Sequence, residues 1–178
     1  AVSGRNYEGL SEVYLWRMND ALKMISNSTA QIANWNTPVN EVIQWKSKDG
    51  ASIEGILLKP KNFDAKKKYP LLVVIHGGPT GTDFPDPVPT YVYPIMQWVE
   101  KGAVVLRVNY RGSAGYGAKF RSLNVRNLGV GDMWDVMSGI DYLNSKGFID
   151  TSRMGSMGWS QGGYISAFLT TNTNIFKA

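Results

Sequence analysis

Apolar residues along this chain alternate between solid runs and periodic stripes, and the switch between the two predicts its elements. Leu71-Leu72-Val73-Val74-Ile75 is an unbroken aliphatic run, the pattern of a strand covered on both faces. Residues 103–108 and 154–157 predict two further buried strands. Between them the spacing becomes helical. Tyr91, Ile95, Met96 and Val99 predict a helix over 91–101. Met133, Val136, Met137, Ile140 and Leu143 form one stripe over 131–146, with Gly147 where a helix would stop. Tyr164, Ile165, Phe168 and Leu169 predict a helix after Ser160. Upstream, residues 41–45 and 53–58 read as two strands joined at Asp49-Gly50 and closed by Pro60. Strands alternating with helices imply an α/β fold, a mostly parallel sheet with helices on both faces.

The first residues follow another rule. Residues 12–17 and 22–25 predict a β-hairpin around a turn at 18–21. A lone hairpin is marginal in water, so it is expected to belong to a larger sheet lying upstream. Residues 27–40 are rich in Asn, Ser and Thr and read as a linker. The expected division is therefore 1–38, the end of a β domain plus linker, and 39–178, part of an α/β domain.

Composition narrows the classes. The chain has 178 residues, 43% of them hydrophobic, enough for a packed core. A net charge of +5 is modest, and the one basic cluster, Lys66-Lys67-Lys68, sits in a turn-like stretch. That pattern is a solvated loop rather than a nucleic-acid patch, so no nucleic-acid partner is expected. With no cysteine and a single histidine, a zinc site is not expected either. No apolar run reaches the roughly 18–20 residues of a membrane span. The chain opens at Ala1-Val2 rather than at methionine, which suggests a fragment boundary. The compartment stays open, with cytoplasm and periplasm both compatible.

The chemistry concentrates in Gly158-Trp159-Ser160-Gln161-Gly162, a Gly-x-Ser-x-Gly run between an apolar strand and a helix. Such a strand–turn–helix is a nucleophile elbow: glycines admit the sharp turn, and the turn pushes the Ser160 hydroxyl outward. The helix beginning near Gln161 offers unpaired N–H groups and a positive dipole end to a developing oxyanion. His76-Gly77-Gly78-Pro79 follows the first aliphatic strand, and glycines there would let backbone N–H groups approach the same oxyanion. His76 precedes the serine, whereas the base comes last in this fold's chain order, so its expected role is to shape the loop. The glycines of Arg111-Gly112-Ser113-Ala114-Gly115-Tyr116-Gly117 have the wrong spacing for a dinucleotide fingerprint. Arg111 is expected to tie loops together or to pair with an acid. Asp132 and Asp135 are expected to serve as helix N-terminal charge.

Four segments in order, Lys68-Tyr69-Pro70-Leu71-Leu72-Val73, His76-Gly77-Gly78-Pro79, Asn109-Tyr110-Arg111-Gly112-Ser113 and Gly158-Trp159-Ser160-Gln161-Gly162-Gly163-Tyr164, resemble the prolyl oligopeptidase family of serine peptidases, and most closely its dipeptidyl-peptidase and acylaminoacyl-peptidase branches. The resemblance covers residues from about 41 to 178. It implies the α/β-hydrolase fold, and it likens the 12–25 hairpin to the last strands of a β-propeller. It implies Ser160 as the acylated nucleophile, with oxyanion donors from the Gln161 N–H and from a glycine N–H, Gly78 in preference to Gly77. A peptide substrate and no metal or organic cofactor are implied. A homo-oligomeric parent is compatible with the sequence.

In that family the triad Asp and His follow the serine, so they are expected beyond Ala178 and these residues alone are expected to be inactive. The sheet is then expected to end at the elbow strand with an open edge. A carboxylesterase on the same fold is the alternative enzyme, although its oxyanion segment more usually reads His-Gly-Gly-Gly and it would lack the hairpin. A non-catalytic interaction protein that kept the fold is the third reading.

Overall fold

A computed structural model of the chain describes residues 1–4, 9–89 and 93–178. Two sheets organise them. The first is small and antiparallel, with order β1-β2-β3 (Val2–Gly4, Glu12–Leu15 and Lys23–Met24). The hairpin predicted from residues 12–25 is its β2–β3 pair, in which Tyr14 lies opposite Met24. The segment expected to be a plain linker contains a 3-10 turn, Ser28–Ile32.

The second sheet has five strands: β4 (Val39–Lys46), β5 (Ser52–Lys59), β6 (Tyr69–Ile75), β7 (Val104–Asn109) and β8 (Ile149–Gly158). Their spatial order is β4-β5-β7-β6-β8. β4 pairs antiparallel with β5, and β5 antiparallel with β7. β6 runs parallel to both β7 and β8. Among the described residues four α-helices are interspersed with the later strands: α1 (Ile95–Glu100), α2 (Gly117–Ser122), α3 (Gly131–Ser145) and α4 (Gln161–Asn172). Tyr91, which the periodicity places in the first of them, lies outside the described residues.

The pleat sorts β6 and β7 onto two faces. Leu71, Val73, Ile75, Val104, Leu106 and Val108 meet Val136, Ile140 and Leu143 of α3 and Ile165 and Leu169 of α4. Val74 and Val105 meet Ile95 and Val99 of α1 on the other side, together with Ile56 and Leu58 of β5. The aliphatic runs are thus covered on both faces, each buried side chain contributing roughly 1.5–3 kcal/mol. This three-layer arrangement is the sheet of an α/β-hydrolase fold.

Helix α3 ends where the sequence predicts, with Gly147 just past it at φ 84°. The outer edge of β8 is not bare as expected. The Lys177 N–H donates to the Met154 carbonyl at 2.7 Å, and the Ser156 N–H donates to the Ala178 carbonyl at 2.9 Å. Among the described residues, no helix is long and apolar enough to cross a membrane. Lys66, Lys67 and Lys68 are exposed in the loop between β5 and β6.

Candidate active site

β8 ends at Gly158 and α4 begins at Gln161, so the chain reverses within two residues. The reversal requires β8, α4 and the end of β6 to approach closely. A Cβ on Gly158 would overlap the backbone of Gly162, and a Cβ on Gly162 would overlap the Ile75 carbonyl. Ser160 takes the strain of the corner at φ 55° and ψ −119°, the left-handed half of backbone space that a serine rarely enters. Its side chain is exposed. Gln161 is the first residue of α4, and its backbone N–H has no acceptor within the helix.

The segment after β6 lies against this corner. A Cβ built on Gly77 would stand 3.0 Å from the Trp159 carbonyl oxygen and 3.2 Å from the Ser160 Cβ, closer than ordinary contact, so a glycine there lets the two main chains approach without displacement. Gly78 has φ 144°, and a Cβ there would overlap the Thr80 and Gly81 amides. Ser160, Gly77, Gly78 and Gln161 therefore share one end of the sheet, where the C-terminal ends of β6 and β8 meet the start of α4. Ligands of open α/β sheets bind at such an end.

His76 is 4% exposed. Its Nε2 lies 3.0 Å from the Ser113 hydroxyl and its Nδ1 lies 2.8 Å from the Gly77 carbonyl. Its ring stacks on Tyr110 at 4.5 Å, and the Tyr110 hydroxyl donates to the His76 carbonyl. Burial pushes its pKa below the ordinary imidazole value, against the pull of the Asp83 carboxylate. A buried neutral imidazole with both nitrogens engaged shapes the loop and is not placed to take a proton from Ser160.

Arg111 is buried and serves three partners. Its backbone N–H and its Nε donate to Asp135 Oδ2, and its Nη2 donates to Asp135 Oδ1 at 2.8 Å. The same guanidinium reaches Asp49 in the β4–β5 turn at 2.8 and 3.0 Å, and the Ser47 hydroxyl at 3.3 Å. Burial opposes its charge, but Asp135 and Asp49 outweigh that and raise its pKa. Asp132 and Asp135 are both fully buried; Asp132 lies in the first turn of α3 as expected, whereas the expectation of helix N-terminal charge is corrected for Asp135. Asp135 is the counter-ion of Arg111. Asp132 accepts from the Met133 N–H and, at 3.4 Å, from the side chain of Gln161. Burial raises the pKa of each.

Sequence reasoning missed a second buried group beside this opening, formed by Asp83, Arg107 and Asn109. Arg107 and Asp83 make a buried ion pair, and Arg107 Nη1 also donates to the Phe84 carbonyl. Asn109 holds the main chain of Asp83 from both sides, accepting its N–H at 2.7 Å and donating to its carbonyl at 2.9 Å. Arg107 and Asn109 alternate with the aliphatic residues of β7, which was the available signal, but nothing in their spacing names a loop residue as partner. A cavity of about 230 Å³ is lined by Asp83 and Arg107 of this group and by His76 and Gly77.

Comparison with known proteins agrees with this geometry. Residues 90–178, half of the chain, match the model of the prolyl oligopeptidase family. The chain is 31% identical over 170 residues to YuxL, an uncharacterized peptidase of Bacillus subtilis (strain 168), covering 94% of this chain and 25% of that protein. It is 35% identical over 127 residues to prolyl endopeptidase FAP of Mus musculus, covering 68% of this chain and 16% of that one. The solved acylaminoacyl peptidase of Pyrococcus horikoshii superposes with a TM-score of 0.77 at 29% identity, over 94% of this chain and 26% of that one. The chain thus spans about a quarter or less of the length of these relatives. With the family model, the relatives and the strand–elbow–helix geometry in agreement, the chain belongs to the prolyl oligopeptidase family.

Proposed function

We propose that the protein containing this chain is a serine peptidase that cleaves short peptides through an acyl-enzyme on Ser160. The observation that carries the reading is the exposed Ser160 at φ 55°, on a strand-to-helix corner, with the main chain of Gly77 against it. The Ser160 hydroxyl attacks the scissile carbonyl carbon and gives its proton to a base. The oxyanion that forms accepts hydrogen bonds from the backbone N–H of Gln161 and from that of Gly78 or its neighbour Gly77. Collapse of the tetrahedral intermediate expels the amine, which leaves with the proton, and water then releases the acyl group by the same route in reverse.

The only histidine, His76, is committed to Ser113 and Gly77, which supports a base and an orienting acid supplied from outside residues 1–178. The 178 residues alone are then inactive. Relatives named as dipeptidyl and acylaminoacyl peptidases support release of dipeptides or of acylated residues from peptide N-termini. Residues 1–38 are read as the end of a preceding β domain.

A fluorophosphonate probe applied to the full-length protein should label Ser160, and Ser160→Ala should abolish both labelling and turnover of a peptidyl anilide. Turnover of an ester but not of the amide bearing the same acyl group would favour the carboxylesterase. A folded full-length protein left unlabelled would leave a non-catalytic relative. Peptide hydrolysis by the 178 residues alone, lost in Ser160→Ala, would overturn the external base.

A further inference from the structure

We propose that Asn109 is a positioning residue for the oxyanion segment: its side-chain amide sets the main chain at Asp83 and thereby holds Gly77 and Gly78 against Ser160. The segment leaves β6 at His76 and is fastened at two points, both from the end of β7 and the loop after it. The near point is His76, whose carbonyl accepts from the Tyr110 hydroxyl and whose ring meets Ser113. The far point is Asp83, whose N–H and carbonyl both bond the amide of Asn109. Thr82 adds a bond from its hydroxyl to the Ala114 carbonyl at 2.8 Å. Between the two points lie Gly77 and Gly78, which carry no side chain to fix their own place.

Asn suits this post better than any other residue of its size. One side chain accepts from an N–H and donates to a C=O, as a neighbouring strand would, so the loop is bonded as though β7 continued beside it. The Asn109 amide nitrogen has a second acceptor, the Tyr116 hydroxyl at 2.9 Å, and that hydroxyl donates to Glu54 at 2.6 Å. The amide orientation is therefore determined from both sides. An isosteric carboxylate in its place would keep the acceptor for the Asp83 N–H but would set an oxygen against the Asp83 carbonyl. The cavity beside Gly77 gives the loop room to shift once that bond is lost.

This inference rests on the reading of Ser160 as nucleophile, and the test separates the two. In the full-length protein, Asn109→Asp and Asn109→Ser should each lower kcat by about ten- to a hundredfold with KM within about threefold, the signature of lost transition-state contacts and of a donor displaced by about 1 Å. The loss should persist well below each variant's unfolding temperature. In Asn109→Asp the deficit relative to the parent should shrink as pH falls, because the protonated carboxyl regains a donor for the Asp83 carbonyl. That carboxyl would face Asp83, Arg107, Tyr116 and Glu54. Tyr116→Phe, which removes the second acceptor of the amide but leaves both bonds to Asp83, should lower kcat by less than either Asn109 variant. Folded Asn109 variants with parental kcat, or with a raised KM alone, would overturn the inference. A parent protein neither labelled at Ser160 nor active would instead overturn the proposed function, and this inference with it.

Discussion

At Gly162 a single methyl group meets the main-chain carbonyl of Ile75, and backbone cannot swing aside as a side chain can. Gly162→Ala should therefore destabilise the protein by about 2–3 kcal/mol, read by urea unfolding, and should reduce labelling of Ser160 as α4 is pushed from the corner. His76 gives a residue-scale pH dependence. Its folded pKa lies below the ordinary value of 6.5, so the unfolded chain takes up a proton first as pH falls. The stability it contributes is full above about pH 6.5 and declines below it. His76→Gln should flatten the decline in a plot of unfolding free energy between about pH 7 and 5. At this scale the elbow and the His-Gly-Gly segment were legible, because both are contiguous and their glycines are required by close approach. Asn109 and Asp83 were not, since their link crosses from a strand to a loop and leaves no spacing to read.

Among the elements, the buried Arg111 fork does the most joining: the loop after β7 carries it, α3 supplies Asp135, and the β4–β5 turn supplies Asp49 and Ser47. Arg111→Met would strand the Asp135 carboxylate in the interior, with an expected loss of about 3–5 kcal/mol by denaturant titration. Adding Asp135→Asn should restore part of it, because the uncompensated charge goes. Asp49 is partly exposed and its arm of the fork contributes less. Strands β6 and β7 and helix α3 were legible from their apolar patterns. Helix α2 was not, since Gly117–Ser122 carries a single large apolar residue, Phe120, and so shows no period. Strand β8 begins at Ile149, before the predicted run, because residues 150–153 are polar and 151–153 are exposed, which hides the strand pattern. Asp135 was misread because helix-end charge and buried counter-ion share one pattern, and only the position of Arg111 tells them apart.

At the scale of the whole molecule, and among the described residues, neither apolar cluster includes a residue of β1–β3. What fastens the small sheet is Glu12, whose carboxylate accepts from the Ser26 hydroxyl and from the Ser28 and Thr29 amides at 2.9 and 2.7 Å. The Ser26 bond first, and then the amides, hold its pKa at about 2. The protection it provides is in place above about pH 4.5 and is lost as pH falls toward 2. Glu12→Gln should speed amide hydrogen exchange at Val13, Ser28 and Thr29 while leaving β6 and β7 unchanged. Equal acceleration in both sheets would show them to unfold as one unit. The sequence divided the chain near residue 38 because composition shifts there, but hydrophobic pattern could not reveal the fastening, which is polar. The strand order also governs how the chain comes into being on the ribosome. β6 emerges before either of its neighbours, and its aliphatic edges stay unsatisfied until β7 and then β8 arrive. That long wait is the interval in which a nascent chain needs a chaperone. The corner bearing Ser160 takes shape only when β8 docks on β6, so, on the proposed function, probe labelling of Ser160 would double as an assay of that docking.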